Sequence, residues 1–214
     1  MTLPYRVTIL TLTVLLGNSA IAQTAPANSK ANARGAWEYA LTVDGYIVPD
    51  EDGYVSPTLA ADRGWLHVEG RFNYEDLRTG SLWFGYNFSA GSKLVFSVTP
   101  MIGGVFGRTN GIAPGCKASL SYKKLDLSVS NEYVFDTGRK ASNFYYSWPE
   151  LSYSPLDWLH VGLVAQRTKA YHTSVDTQRG FLVGLTHKKL EITAYIFNLG
   201  WTTPTAVLEA NVSF

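Results

Sequence analysis

In 64-GWLHVEGRFNYED-76, Leu66, Val68, Gly70, Phe72 and Tyr74 occupy one phase and Trp65, His67, Glu69, Arg71 and Asn73 the other. A repeat of two is the mark of an extended strand with unlike faces. The pattern recurs along most of the chain. It predicts strands at about 36–47, 54–60, 64–75, 79–89, 93–103, 114–123, 125–136, 143–154, 157–168, 179–188, 190–200 and 204–214. Pro57 interrupts the second, which reads as an irregular edge or part of a loop. Helical periodicity is scarce, and turn residues separate the short runs, so the chain reads as all-β.

The connections carry a second rhythm. Lys123-Lys124, Pro155-Leu156-Asp157 and Lys188-Lys189 are tight, whereas 136-DTGRKASN-143 and 169-KAYHTSVDTQ-178 are long. Short and long alternate strictly in the second half, as in a barrel with turns at one end and loops at the other. Twelve strands put both chain ends on the turn side; ten is the alternative count. The segment 75-EDLRTG-80 is short yet falls on the loop side. A small repeat, Asp62-Arg63-Gly64-Trp65-Leu66-His67-Val68 against Asp157-Trp158-Leu159-His160-Val161, opens a strand after a turn in each copy.

One phase collects Trp37, Tyr39, Leu41 and Val43; Leu82, Phe84, Tyr86 and Phe88; Leu125, Leu127, Val129, Tyr133 and Phe135; Leu159, Val161 and Leu163. The opposite phase is small or polar: Glu38, Thr42 and Asp44; Gly85 and Asn87; Asp126, Ser128, Ser130 and Glu132. A soluble barrel would turn the apolar phase inward, and a membrane barrel would turn it outward. Composition favours the second. Aromatics are 14% and charged residues only 16%, where a soluble chain carries roughly a quarter charged. Tyr46, Tyr54, Trp65, Tyr74, Tyr145, Tyr153, Trp158 and Trp201 sit at strand ends, where headgroup zones suit amphipathic rings. Parity switches within 143-NFYYSWPELSY-153, so a bulge is expected at Pro149. Asn131 is a polar residue in a lipid-facing row, and strands 179–188 and 190–200 are apolar on both phases.

The last stretch, 204-PTAVLEANVSF-214, alternates up to a terminal phenylalanine. Here the chain resembles bacterial outer-membrane β-barrel proteins, whose last strand ends in an aromatic residue. The resemblance implies a closed antiparallel up-and-down transmembrane β-barrel over 36–214. It also implies an outer-membrane location, lipid as solvent, and a barrel assembly machinery that reads Leu208, Ala210, Val212 and Phe214. The start of the chain agrees. Arg6, the apolar run 7-VTILTLTVLLG-17 and Ala20-Ile21-Ala22 form a signal peptide over 1–22, followed by a disordered leader at 23–35.

With lipid outside, parity sends Glu38, His67, Glu69, Arg71, Lys117, Glu132, His160, Gln166 and Glu209 to the lumen. Their signs are mixed and show no ring of one charge. They either neutralise one another as internal ion pairs or line a path for small polar solutes. The leading expectation is a small passive channel or a membrane-structural barrel. A barrel enzyme acting on lipid or peptide is one alternative, and a soluble periplasmic barrel binding an apolar ligand is another. No metal spacing or cofactor motif appears, and none of His67, His160, His172 and His187 lies in a local Ser/His arrangement. The carboxylates of 50-DEDG-53 read as a solvated turn, and the single Cys116 excludes an intrachain disulfide. A formal charge of +1 gives no reason to expect nucleic acid.

Overall fold

The computed structural model describes residues 35–47, 49, 52–138, 143–170, 176–200 and 203–214. The signal peptide, the leader up to residue 34, Asp50, Glu51, His172 and Trp201 lie outside these residues. Among those described the chain forms thirteen strands and no helix. They are β1 (Glu38–Ile47), β2 (Tyr54–Arg63), β3 (Leu66–Phe72), β4 (Thr79–Tyr86), β5 (Phe88–Gly91), β6 (Leu94–Gly107) and β7 (Gly111–Tyr122). The remainder are β8 (Leu125–Asp136), β9 (Phe144–Leu156), β10 (Leu159–Ala170), β11 (Asp176–His187), β12 (Leu190–Phe197) and β13 (Thr205–Ser213).

Every pairing is antiparallel between chain neighbours, except that β1 also pairs with β13 and β4 with β6. The sheet therefore closes on itself. β4 and β5 are one stave of the barrel. Gly85 lies opposite Met101 and Phe88 opposite Val98, so the register carries through without a shift. The break falls opposite Pro100, which has no N–H to give the ladder. The result is a closed barrel of twelve staves, as the alternation predicts. Closure leaves no unpaired edge, the condition that lipid imposes on any sheet.

Five two-residue turns, at 64–65, 92–93, 123–124, 157–158 and 188–189, gather at one end together with both ends of the barrel chain. The longer connections, including 73–78, gather at the other. The first residue is left-handed in three turns: Gly64 at φ 59°, Lys123 at 55° and Lys188 at 56°. The turn end is also cationic, carrying Arg63, Lys93, Lys123, Lys124, Lys188 and Lys189.

The apolar phase faces outward. Leu82, Phe84, Leu127, Leu163, Phe181, Val183 and Leu185 lie on the outer surface, while Glu69 on the opposite phase is fully enclosed. A soluble barrel would need the reverse, so the apolar-ligand alternative falls. Phe214 closes the ring: it exchanges two 2.9 Å backbone hydrogen bonds with Tyr39, and their rings stack at 5.8 Å.

The expected aromatic girdle holds at the turn end and holds only in part at the loop end, where Tyr145 stays outward. Trp65, Tyr153 and Trp158 stand outward near the turns. Tyr46 and Tyr54 point inward and stack at 4.4 Å. Tyr74, which alternation sends to lipid, also lies inside. Asn73 takes a left-handed φ of 56° just past β3 and reverses the parity. Its side chain accepts from Arg78 N at 2.8 Å and donates to Val55 O at 3.0 Å, fixing that reversal.

No bulge occurs at Pro149. β8 and β9 hold one register from Leu125–Tyr153 to Val134–Phe144. Phe144, Tyr146 and Trp148 consequently share the inward face with Glu150. The shift lies between β9 and β10 near Leu159. Asn131 keeps its outward place by accepting a 2.8 Å hydrogen bond from the Tyr145 hydroxyl.

These inward rings build two apolar clusters in the loop-side half of the barrel. One contains Trp83, Met101, Val105, Ala113 and Val134, with Phe144 packed against it. The other contains Val164, Leu182, Tyr195, Phe197 and Val207, with Tyr46 and Trp148. Trp148 meets Tyr195 and Phe197 edge-on at 5.3 Å each, the arrangement that ring quadrupoles favour. β11 and β12 are apolar on both faces because one face meets lipid and the other fills the barrel. Gly103 is the space Trp83 occupies: a Cβ there would lie 2.5 Å from the indole.

Candidate functional site: the lumen

All nine side chains that alternation sends inward face the interior. Glu38, His67, Glu69 and Lys117 line its turn-side part. Arg71 and Glu209 lie in the middle. Glu132 and Gln166 lie on the loop side. His160, on β10, reaches Thr193 and Glu191 of β12.

Five of the nine form one network. Arg71 Nε donates to Glu69 Oε2 at 2.7 Å, and Nη2 lies 2.7 Å from the same oxygen. Arg71 Nη1 donates to Glu132 Oε2 at 2.8 Å and stands 3.6 Å from Glu75 Oε1. Lys117 donates to Glu69 Oε1. The His67 ring bridges Glu69 Oε1 at 2.8 Å and Asp62 Oδ1 at 2.7 Å. The guanidinium also lies between two rings, 4.5 Å from Tyr74 and 4.4 Å from Trp83. Planarity and five donors make arginine the residue for that double task. Glu75 in turn accepts from Ser81 Oγ at 2.6 Å and from Trp83 Nε1 at 3.1 Å.

A second acidic wall faces this network. Asp44 and Glu209 stand directly opposite each other across the β1–β13 ladder. Glu150, beside Trp148, lines the same middle space. Tyr195 donates to Glu209 Oε2 at 3.4 Å.

The lumen is therefore one-sided in charge. Among the described residues Glu38, Asp44, Asp62, Glu69, Glu75, Asp76, Glu132, Asp136, Glu150, Glu191 and Glu209 face it or its loop-side mouth, against the permanent cations Arg71, Arg108 and Lys117. The nine candidates carry mixed signs, and closure sets further acids beside them, Asp44, Asp62, Glu75 and Glu150 among them. The acids sit one or two to a strand or in the connections beside it, and only closure brings them together.

Three cavities run in series. The turn-side cavity has about 340 Å³, the middle one about 190 Å³ and the loop-side one about 860 Å³. The first two share Thr42, Thr58, Glu69, Lys117 and Ser130. The middle and loop-side cavities share Tyr74 and Tyr146, whose rings meet edge-on at 5.9 Å. That pair is the narrowing between them. Sequence reasoning missed it, because both tyrosines lie where alternation points outward or changes phase.

Among the described residues neither lumen histidine, His67 nor His160, has the geometry of a hydrolytic triad. A triad places the nucleophile on one ring nitrogen and the orienting acid on the other. His67 has a carboxylate on each nitrogen. His160 meets Thr193 at 3.3 Å and Glu191 at 3.7 Å through the same Nε2.

No family model and no curated protein matches the chain. Solved structures do. The KdgM porin in complex with disordered oligogalacturonate superposes with a TM-score of 0.56 at 13% identity, covering 82% of this chain and 98% of that one. The KdgM porin itself gives a TM-score of 0.53 at 12% identity, with the same coverage. Acinetobacter baumannii Omp33 aligns with a TM-score of 0.48 at 11% identity, covering 83% and 98%. The fold is that of outer-membrane β-barrel porins. A closed barrel with an apolar outer surface is built to sit in a lipid bilayer.

Proposed function

We propose that this chain is a narrow passive channel of the outer membrane for small polar solutes. The observation that carries the proposal is the series of three cavities leading from the turn end to the loop end, each with carboxylates in its wall. A barrel that served only as a membrane scaffold would have no use for contiguous space beside so many carboxylates. The aromatic clusters fill much of the loop-side half, so the path is small. One structural neighbour is described in complex with oligogalacturonate, a polyanion. The acid-rich wall here opposes such a chain and suits neutral or cationic solutes.

In this reading residues 1–22 direct secretion, and the strand ending in Leu208, Ala210, Val212 and Phe214 is recognised by the barrel assembly machinery. Outer-membrane lipid then surrounds the belt. Refolded protein in planar bilayers is expected to give small discrete conductance steps. If no steps appear in any salt, the channel reading is wrong.

A further inference from the structure

We propose that the loop-side cavity is a binding site for small organic cations bearing an ammonium group, held by Glu75 and Glu132 beside the rings of Tyr74 and Tyr146. This deepens the channel reading by naming a solute class. Its test measures binding without conduction, so the two ideas fail separately.

The site is built from buried groups. Glu75 is 8% exposed and Glu132 5%. Both line the loop-side cavity, and both flank the same guanidinium nitrogen of Arg71. Each commits only one oxygen. Glu75 Oε1 serves Ser81 and Trp83, and Glu132 Oε2 serves Arg71. Glu75 Oε2 and Glu132 Oε1 are buried and have no hydrogen-bond partner. A buried carboxylate oxygen calls for a donor. Arg71 is already shared among Glu69, Glu75 and Glu132, Lys117 is engaged by Glu69, and Arg108, in the same cavity wall, is engaged by Asp76.

An ammonium group supplies what is missing: a positive charge and several N–H donors on a compact head. Tyr74 and Tyr146, with Phe144 nearby, line the same cavity, and aromatic faces attract organic cations. A calcium-like ion wants six to eight oxygens. Among the described residues no group of three or more His, Cys, Asp or Glu side chains is placed to hold a metal. The cavity, about 860 Å³, has room for an alkyl chain behind the head.

Trp83 is a built-in reporter, because its indole N–H donates to the same Glu75. The full refolded chain in detergent micelles is titrated with ethylammonium chloride, and separately with ethanol, sodium acetate and sodium chloride at matched ionic strength. Binding is read by tryptophan emission and by isothermal titration. The expected result is a saturable response to ethylammonium alone. In Glu132→Gln, checked for folding by heat-modifiable gel mobility, the affinity is expected to fall at least about tenfold, the scale of one charge-assisted hydrogen bond. The comparison among the four solutes needs no variant. An equal response to sodium ion or ethanol, no saturable response, or undiminished affinity in a folded Glu132→Gln protein would overturn the proposal.

Discussion

Arg71→Met tests whether the interior network holds the barrel together. Arg71 is 7% exposed and is shared by Glu69, Glu75 and Glu132, with bonds of 2.7 and 2.8 Å to the first and last. Methionine keeps the length and most of the contact with the Tyr74 and Trp83 rings. It removes the charge, leaving three enclosed carboxylates, of which Glu69 alone keeps an ion pair to a permanent cation, Lys117. Removing one partner of a buried pair costs about 3–5 kcal/mol. The adjoining cavities soften that cost by admitting water, so the lower end applies, at roughly 3 kcal/mol. Adding Glu132→Gln removes one orphaned charge and should recover about 1–2 kcal/mol relative to Arg71→Met alone, a non-additive pair. The assay is urea unfolding in phospholipid vesicles, followed by tryptophan fluorescence and by heat-modifiable mobility. A single variant within about 1 kcal/mol of the parent, or strict additivity in the double variant, would show that the network contributes little.

Leu163 is 52% exposed on the outer face of β10. If that face meets hydrocarbon, Leu163→Arg should destabilise the barrel by about 2–4 kcal/mol in vesicles; a neutral effect would contradict the orientation. Tyr146→Ala opens the narrowing between the middle and loop-side cavities, so single-channel conductance should rise; an unchanged value would place the limiting constriction elsewhere. Phe214→Ala removes the ring stacked on Tyr39 and should reduce the heat-modifiable barrel recovered from cell membranes, with wild-type recovery arguing against a terminal assembly signal.

The twelve staves, the inside–outside parity of most strands and the inward placement of the nine candidate lumen residues were legible in the sequence. All three follow from a local rule: side chains alternate in a strand, and lipid demands one apolar face with no free edge. The rule breaks where both faces are apolar or the backbone turns. Asn73 reverses Tyr74 through one left-handed residue. Parity switches after Phe144, Tyr146 and Trp148 and so suggests a bulge, but the unbroken β8–β9 register turns all three inward. Such rings find partners only when distant strands meet, as Trp148 meets Tyr195 and Phe197. Charge shows the same limit. Arg71 and Glu132 are 61 residues apart in the chain, and the acids are scattered among neutral positions. Their common field exists only because closure wraps every strand around one lumen, a distance relation that no local period contains.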